Sequence, residues 1–355
     1  MHQFSLRSLT SRVFQLQRGV ARFTIPARIA RLALLSAVPL ALLQAGMAQA
    51  QTSATPALRL INEYPATSVT AAADLKFAEE VRSLSAGSLA VTTLQESANT
   101  FKGKDQVAAV SERRVEMGTL FAGILGTSDP FFLLSSLPFV VKDFAQAEAL
   151  FKCARPELEQ HLASLNLHLL YVTPWPPSGI WSAQPVTDLA SLRALRIRTY
   201  DDNSRGSFAR LGAFSVNLPF SAVGPRLASG DLNAVLSSGD GGAGNKLWEH
   251  LPNFTAVNYA IPLSYTLINN DAWKALSPQQ QGILSQAAAR IDANGWKTVK
   301  DRIEVNYARM REHGMRLNLA PAESVTRGLR QAGNAQTDSW WQQNDGAGIR
   351  ARCLK

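Results

Sequence analysis

Apolar and polar positions alternate in short blocks along the body of the chain, and the spacing within each block sets the element it predicts. Leu58-Arg59-Leu60-Ile61 is a first strand. After the loop Asn62-Glu63-Tyr64-Pro65, apolar residues at Phe77, Val81 and Leu84 share one helical face, and Gly87 stops that helix. Leu89-Ala90-Val91-Thr92 is a second strand, a helix follows over 105–114, and Val115-Glu116-Met117-Gly118 opens a third strand. The pattern returns at 167–172, 195–199 and 234–236, where a helix over 221–229, capped by Ser221 and stopped by Gly230, separates the last two strands. Strand-helix-strand alternation predicts an α/β fold with parallel strands, in which ligand groups gather in the loops at the carboxyl ends of the strands.

The longest periodic stretch begins at Ser277-Pro278-Gln279-Gln280, where a Ser cap, a Pro in the first helical position and a Gln three residues after the cap form a capping box. Leu284, Ala287, Ile291, Trp296, Val299, Ile303 and Met310 continue the helical spacing until Gly314. At 1.5 Å per residue this helix is on the order of 50 Å long, more than one lobe is wide. It is expected to cross two lobes and to bend at Asn294-Gly295.

The N-terminus follows another logic. Residues 1–50 hold six Arg and no Asp, Glu or Lys, and an apolar run over 32–43 leads to small residues ending in Ala48-Gln49-Ala50. That order is a secretory leader cleaved after Ala50; the run is short of the roughly 20 residues a membrane span requires, and Pro39 interrupts it. No Cys lies near the cleavage point to carry a lipid. The expected location is the periplasm. Of the formal charge of +9, removing the six leader Arg leaves +3, so the basic balance does not mark a nucleic-acid binder. About 305 residues then remain, more than one core normally holds, which favours two lobes. The expected division is a signal peptide over 1–50, a linker over 51–57, a first lobe from 58–177 and 262–290, and a second from 178–261 and 291–355, the last part carrying the long helix and a C-terminal tail. Cys153 and Cys353 are either a disulfide tying that tail to the body, which an oxidising compartment favours, or two buried thiols.

Several motifs carry a family resemblance over nearly all of this body. They are the run from Leu60 to Ser68, Val115-Glu116-Met117-Gly118, Gly123-Ile124-Leu125-Gly126 with Asp129-Pro130, and above all Leu192-Arg193-Ala194-Leu195-Arg196-Ile197-Arg198-Thr199-Tyr200. Gly230-Asp231-Leu232-Asn233-Ala234-Val235-Leu236, Ser238-Gly239-Asp240-Gly241-Gly242, Lys246-Leu247-Trp248-Glu249 and Asn269-Asn270-Asp271-Ala272-Trp273 follow in order. The chain resembles the DctP-type substrate-binding proteins of tripartite ATP-independent periplasmic (TRAP) transporters. The resemblance implies a two-lobed Venus-flytrap fold spanned by a long helix, a small organic acid as ligand, a membrane permease as partner and Arg198 as the carboxylate anchor. Asn233 departs from the family's usual aspartate or valine and is expected to be structural.

Chemistry supports the anchor. A carboxylate entering a closed cleft loses its water, and a guanidinium compensates with fixed charge and two parallel hydrogen bonds. Trp175, in the Pro-rich segment expected to join the lobes, either walls the cleft, which favours a monocarboxylate with an aromatic or branched body, or packs the hinge. Glu63, Tyr64, Ser68, Asn99, Ser238 and Asp240 lie where strand ends converge, and each serves either ligand contact or turn and cap chemistry. The Gly-rich run 239–244 lacks the P-loop spacing and is expected to be a tight loop bringing Asp240 to a ligand hydroxyl or amine. The 5 His show no metal-ligand spacing and no nucleophile elbow occurs, so no metal, cofactor or catalytic residue is expected. Alternative roles are ligand presentation to a sensor kinase and, more remotely, a periplasmic enzyme.

Overall fold

The structure, a computed structural model, describes residues 57–345 and 348–354; the leader read in residues 1–50 lies outside the described residues. The strands are β1 (Ala57–Asn62), β2 (Ala90–Gln95), β3 (Met117–Phe121), β4 (Leu167–Pro174), β5 (Ser178–Ser182), β6 (Arg196–Thr199), β7 (Phe214–Asn217), β8 (Ala234–Ser238), β9 (Asn253–Thr255), β10 (Leu263–Asn269) and β11 (Arg316–Asn318). They form two sheets, in the orders β2-β1-β3-β10-β4 and β11-β9-β5-β8-β6-β7. Each sheet belongs to one lobe of a mixed α/β fold.

The sheets are not wholly parallel. β1 pairs in parallel with β2 and β3, and β6 with β7 and β8, as the alternation predicts. β10 runs antiparallel between β3 and β4, and β5 antiparallel between β8 and β9. These are the strands that enter each sheet just after the chain has crossed from the other one, so no helix turns them back into the parallel direction. Strands β3, β4, β5, β8, β9 and β10 are buried along almost their whole length, which matches their apolar runs and sheets covered on both faces.

The long helix is Pro278–Glu312, with the full capping box: Ser277 Oγ accepts from the Gln280 N–H at 3.2 Å and Gln280 Oε1 from the Ser277 N–H at 2.9 Å. It runs as one α-helix through Asn294-Gly295. Its Leu284, Ala287 and Ile291 join the core shared by β1 and the first helix (Val69–Leu84), while Trp296, Val299 and Met310 join the larger core that includes the second sheet. One helix is thus built into both halves.

Three local expectations change. The segment after Pro219 starts as a 3-10 turn, Phe220–Ala222, and continues as an α-helix over Val223–Ala228, so Ser221 is not its cap. The helix Phe144–Ser164, capped by Asp143 and interrupted in pattern by Pro156, stands where no element was expected. The expected C-terminal tail instead holds the 22-residue helix Glu323–Asn344 and the short helix Ile349–Cys353. Cys353 is disulfide-bonded to Cys153 on the helix Phe144–Ser164.

Candidate ligand-binding cleft

A cleft of about 390 Å³ opens at the carboxyl ends of β1, β3, β6 and β7. Glu63 and Tyr64 enter it from the loop after β1, Lys102 and Gly103 from the loop beyond β2, Phe121 and Gly123 from the end of β3, and Arg198, Tyr200 and Asn217 from the second sheet. The two sheets come close here. A Cβ on Gly123 would stand 2.4 Å from the Tyr200 carbonyl oxygen, so only glycine permits this approach of one lobe's backbone to the other.

Arg198 lies in the cleft floor and is 3% exposed. Arg196, Arg198 and Tyr200 share one face at strand spacing, and position along β6 separates them: Arg196, at its start, is exposed, whereas Arg198 and Tyr200, toward its carboxyl end, line the cleft. The guanidinium is already oriented by the protein. Its Nε donates to the Leu218 carbonyl at 2.8 Å and its Nη1 to the Leu236 carbonyl at 3.3 Å, and its centre lies 5.0 Å from the centroid of the Phe220 ring. Nη2 donates to no protein group among the described residues. Burial pulls the guanidinium pKa down, and the neighbouring Tyr64, Glu63, Tyr200 and Asp201 oppose that shift.

Glu63 is held on the other lobe. One carboxylate oxygen, Oε2, accepts from the Gly103 N–H at 3.2 Å and from Gln106 Nε2 at 3.1 Å. Burial raises its pKa, against the Gly103 N–H, the Arg198 and Lys102 charges and the Gln106 amide. Tyr64 is buried and packs between Trp175, at 4.7 Å between ring centroids, and Phe220, at 6.0 Å. The cleft therefore presents an oriented cation, an acid opposite it and an aromatic wall.

Of the sequence candidates, the structure brings Arg198, Glu63 and Tyr64 together. Trp175 does not line the cleft: it backs Tyr64, and its indole N–H donates to Ser264 Oγ at 3.0 Å. Asn99 is a brace, its Oδ1 accepting from the Phe101 N–H at 2.9 Å and its Nδ2 donating at 3.1 Å to Gln106, which holds Glu63. Ser68 caps the first helix through the Ala71 N–H at 3.2 Å, and Ser238 caps the Gly-rich segment through the Gly241 N–H at 3.0 Å. That segment is a short helix, Gly239–Gly244, and not a loop aimed at the cleft. A Cβ on Gly242 would stand 2.1 Å from the Trp181 ring, so the missing side chains let the indole seat there. Asp240 is enclosed by protein donors, as set out below. Asn233 accepts from the Arg196 N–H at 2.7 Å and donates to the Ala194 carbonyl, a structural brace.

Sequence reasoning gave no role to Tyr200, Phe121, Lys102, Gly123 or Asn217. Tyr200 was within reach, since it follows Arg198 at strand spacing; the others depend on how the lobes meet. A larger hollow, about 930 Å³, lies between the helix Phe144–Ser164 and the long helix. Its charged lining includes the internal pairs Lys152–Glu148 and Arg155–Glu159, and the cleft loops do not reach it. The smaller cleft carries the buried guanidinium at the strand ends and is the better site.

Fold and cleft together define a two-lobed receptor for a small anionic solute. The chain belongs to the bacterial extracellular solute-binding proteins, family 7 (DctP), whose model matches residues 62–343. Among solved structures, it is similar to DctP7 and DctP6 of Bordetella pertussis, extracytoplasmic solute receptors binding pyroglutamic acid. They are 25% and 26% identical to it, with TM-scores of 0.80 and 0.79, covering 84% of this chain and 100% and 98% of theirs. A marine metagenome TRAP solute binding protein specific for pyroglutamate is 25% identical, with a TM-score of 0.79 over 84% of this chain and 98% of its own. The protein is a TRAP-type extracytoplasmic solute receptor for small organic acids, partnered with a membrane permease, and it is not an enzyme.

Proposed function

We propose that this receptor captures a compact monocarboxylate that also carries an N–H or O–H donor, with a flat or branched apolar body, and that pyroglutamate is the first such ligand to test. The observation that carries the reading is Arg198, which is buried, oriented by two main-chain carbonyls and still holds Nη2 for an anion. A carboxylate paired with it keeps in the cleft the charge compensation that water gives it outside. Glu63, across the cleft, accepts the ligand's donor group. Tyr64, Phe121 and Tyr200 cover the body of a ring better than the polyhydroxyl chain of a sugar acid. The three structures at about one quarter identity whose ligand is pyroglutamate support the same chemistry. Export through the cleavable leader over residues 1–50, with Gln51 as the first mature residue, completes the proposal.

Thermal unfolding of the mature protein tests the ligand class, because a ligand bound only by the folded state raises the melting temperature. Pyroglutamate, branched and aromatic monocarboxylates, dicarboxylates and sugar acids are the panel. The expected order places cyclic or branched monocarboxylates first. Arg198→Ala abolishes the shift while the circular dichroism spectrum stays native; an undiminished shift in that variant removes Arg198 from the site.

A further inference from the structure

The sequence makes Asp240 a candidate for ligand contact or for turn and cap chemistry, and the structure surrounds it with protein donors. Its side chain is wholly enclosed, at 0% exposure. Oδ1 accepts from the Val69 N–H at 2.8 Å, while Oδ2 accepts from Arg302 Nε at 2.6 Å and from Asn306 Nδ2 at 2.9 Å, with Arg302 Nη2 also against it. Arg302 Nη2 in turn donates to the Thr67 carbonyl at 2.7 Å.

These partners divide between the two lobes. Asp240 follows β8 of the second sheet, and Arg302 and Asn306 sit on the part of the long helix that packs on the Gly-rich helix: a Cβ on Gly239 would lie 3.2 Å from Met310 and 3.6 Å from Asn306. Thr67 and Val69 follow β1 of the first sheet. Val69 is the first residue of the first helix, so its N–H has no partner within that helix. The segment Pro65–Val69 also continues directly from Glu63 and Tyr64, two of the first-lobe residues of the cleft. Two bonds therefore cross between the halves, Val69 N–H to Asp240 and Arg302 to the Thr67 carbonyl. Both are assisted by charge, and both end on the stretch that follows Glu63 and Tyr64 out of the cleft.

We infer that Asp240 and Arg302 form an inter-lobe clasp that favours the closed arrangement and so sets ligand affinity from outside the cleft. When the lobes part, Asp240 keeps Arg302 and Asn306, which travel with it, and exchanges only Val69 for water; Arg302 exchanges only Thr67. The buried ion pair is then a fixed part of one half, and the crossing bonds are the part that switches. Apparent affinity scales with the population of the binding-competent state, so weakening these bonds lowers affinity without altering any group that touches ligand. The inference rests on the reading of the inter-sheet cleft as the ligand site.

Val69→Pro tests the crossing bond alone. Proline suits the first helical position, and Ser68 before it already has the extended backbone that proline requires, with φ −73 and ψ 155. The Asp240–Arg302 pair is left in place. Arg302→Lys is the second variant: it keeps the charge and loses the fork that reaches both Asp240 and Thr67. The probes are pyroglutamate by titration calorimetry and the inter-lobe distance, read in ligand-free protein between labels at Glu79→Cys and Asp231→Cys, both exposed in the wild type. Expected are an affinity about tenfold weaker in each variant, and a ligand-free distance distribution shifted toward the longer separation. An unchanged distance distribution overturns the clasp, including when affinity and unfolding temperature fall together, because that result marks a purely structural role. Failure of wild-type protein to bind any acid of the panel instead overturns the proposed ligand class, and the ligand-free distances still decide the clasp.

Discussion

At Arg198, two N–H groups are committed to main-chain carbonyls, which makes the residue a structural member of the second lobe as well as an anchor. Arg198→Lys separates these roles. An ammonium keeps the charge but cannot bond Leu218 and Leu236 while presenting a fork to a carboxylate, so affinity is expected to fall about a hundredfold by calorimetry, with the fold retained. Equal affinity in the Lys variant would show that charge alone suffices. Another buried charge sits behind the cleft. Asp74 accepts from Thr119 Oγ1 at 2.6 Å, Tyr171 Oη at 2.8 Å and Asn62 Nδ2 at 2.7 Å, and Asn62 Oδ1 accepts the Tyr64 N–H. Burial pushes the Asp74 pKa up to about 6, and the three donors restrain the rise. A folded pKa above the ordinary 3.8 means that the folded state binds the proton first. This group's contribution to stability is therefore fully present below about pH 4 and is lost as pH rises through about 6. Urea midpoints between pH 4 and 7 are expected to slope more steeply downward with rising pH in wild type than in Asp74→Asn; parallel slopes refute the shift. The place of Arg198 in the cleft was legible through the family resemblance of its strand, and that of Glu63 and Tyr64 from their loop after a strand. Asp74 was not, because a single acid on a helix face has no pattern that distinguishes burial from exposure. Trp175 stayed open for a related reason: an indole beside prolines fits a cleft wall and the layer behind it equally well.

Among the elements, those with an uninterrupted period and clear stops were legible: the first helix, the long helix with its capping box, and the strands β1, β2, β3, β4, β6 and β8, whereas β7, β9 and β11, of three or four residues each, were not. The helix Phe144–Ser164 was hidden by Pro156, which reads as a break although its flanking apolar positions keep one face buried. The antiparallel strands β5 and β10 are as buried as their neighbours, and their direction follows from chain crossings that local pattern does not encode. Glycine roles likewise depend on neighbours. Gly242, in the Gly-rich helix, is fitted against the Trp181 ring, whereas Gly282, in the long helix, faces open space and is exposed. Alanine is expected to act with opposite signs at the two positions. Gly282→Ala stabilises by roughly 0.5–1 kcal/mol through helix propensity. Gly242→Ala destabilises by about 1–3 kcal/mol, because the indole that donates to the Ser238 carbonyl must move. Denaturant midpoints of the two variants check this, and a loss at Gly282 or no loss at Gly242 contradicts the packing described.

For the molecule as a whole, the C-terminal end of the chain is fastened covalently to a helix that precedes the second sheet in sequence. The bridge between Cys153 and Cys353 joins residues 200 apart in sequence, so its loop takes in the whole second sheet and the long helix. Arg352 pairs with Glu157 one helical turn from the bridge. A covalent closure of so long a loop lowers the entropy of the unfolded chain by an amount worth up to about 5 kcal/mol, of which 2–4 kcal/mol is commonly realised. Such a bond forms in the oxidising compartment where this family of receptors works. Neither cysteine lines the cleft, so the bridge makes no ligand contact, and its loss is expected to show in stability. The double variant Cys153→Ser, Cys353→Ser is therefore expected to unfold at lower denaturant, by about 2–4 kcal/mol at zero denaturant, while binding ligand with wild-type affinity below its melting temperature. Two thiols titrating in the native, oxidised protein would remove the bridge. A large loss of affinity with unchanged stability would instead place the C-terminal segment in the closing motion, and the fastening would then belong to the ligand response.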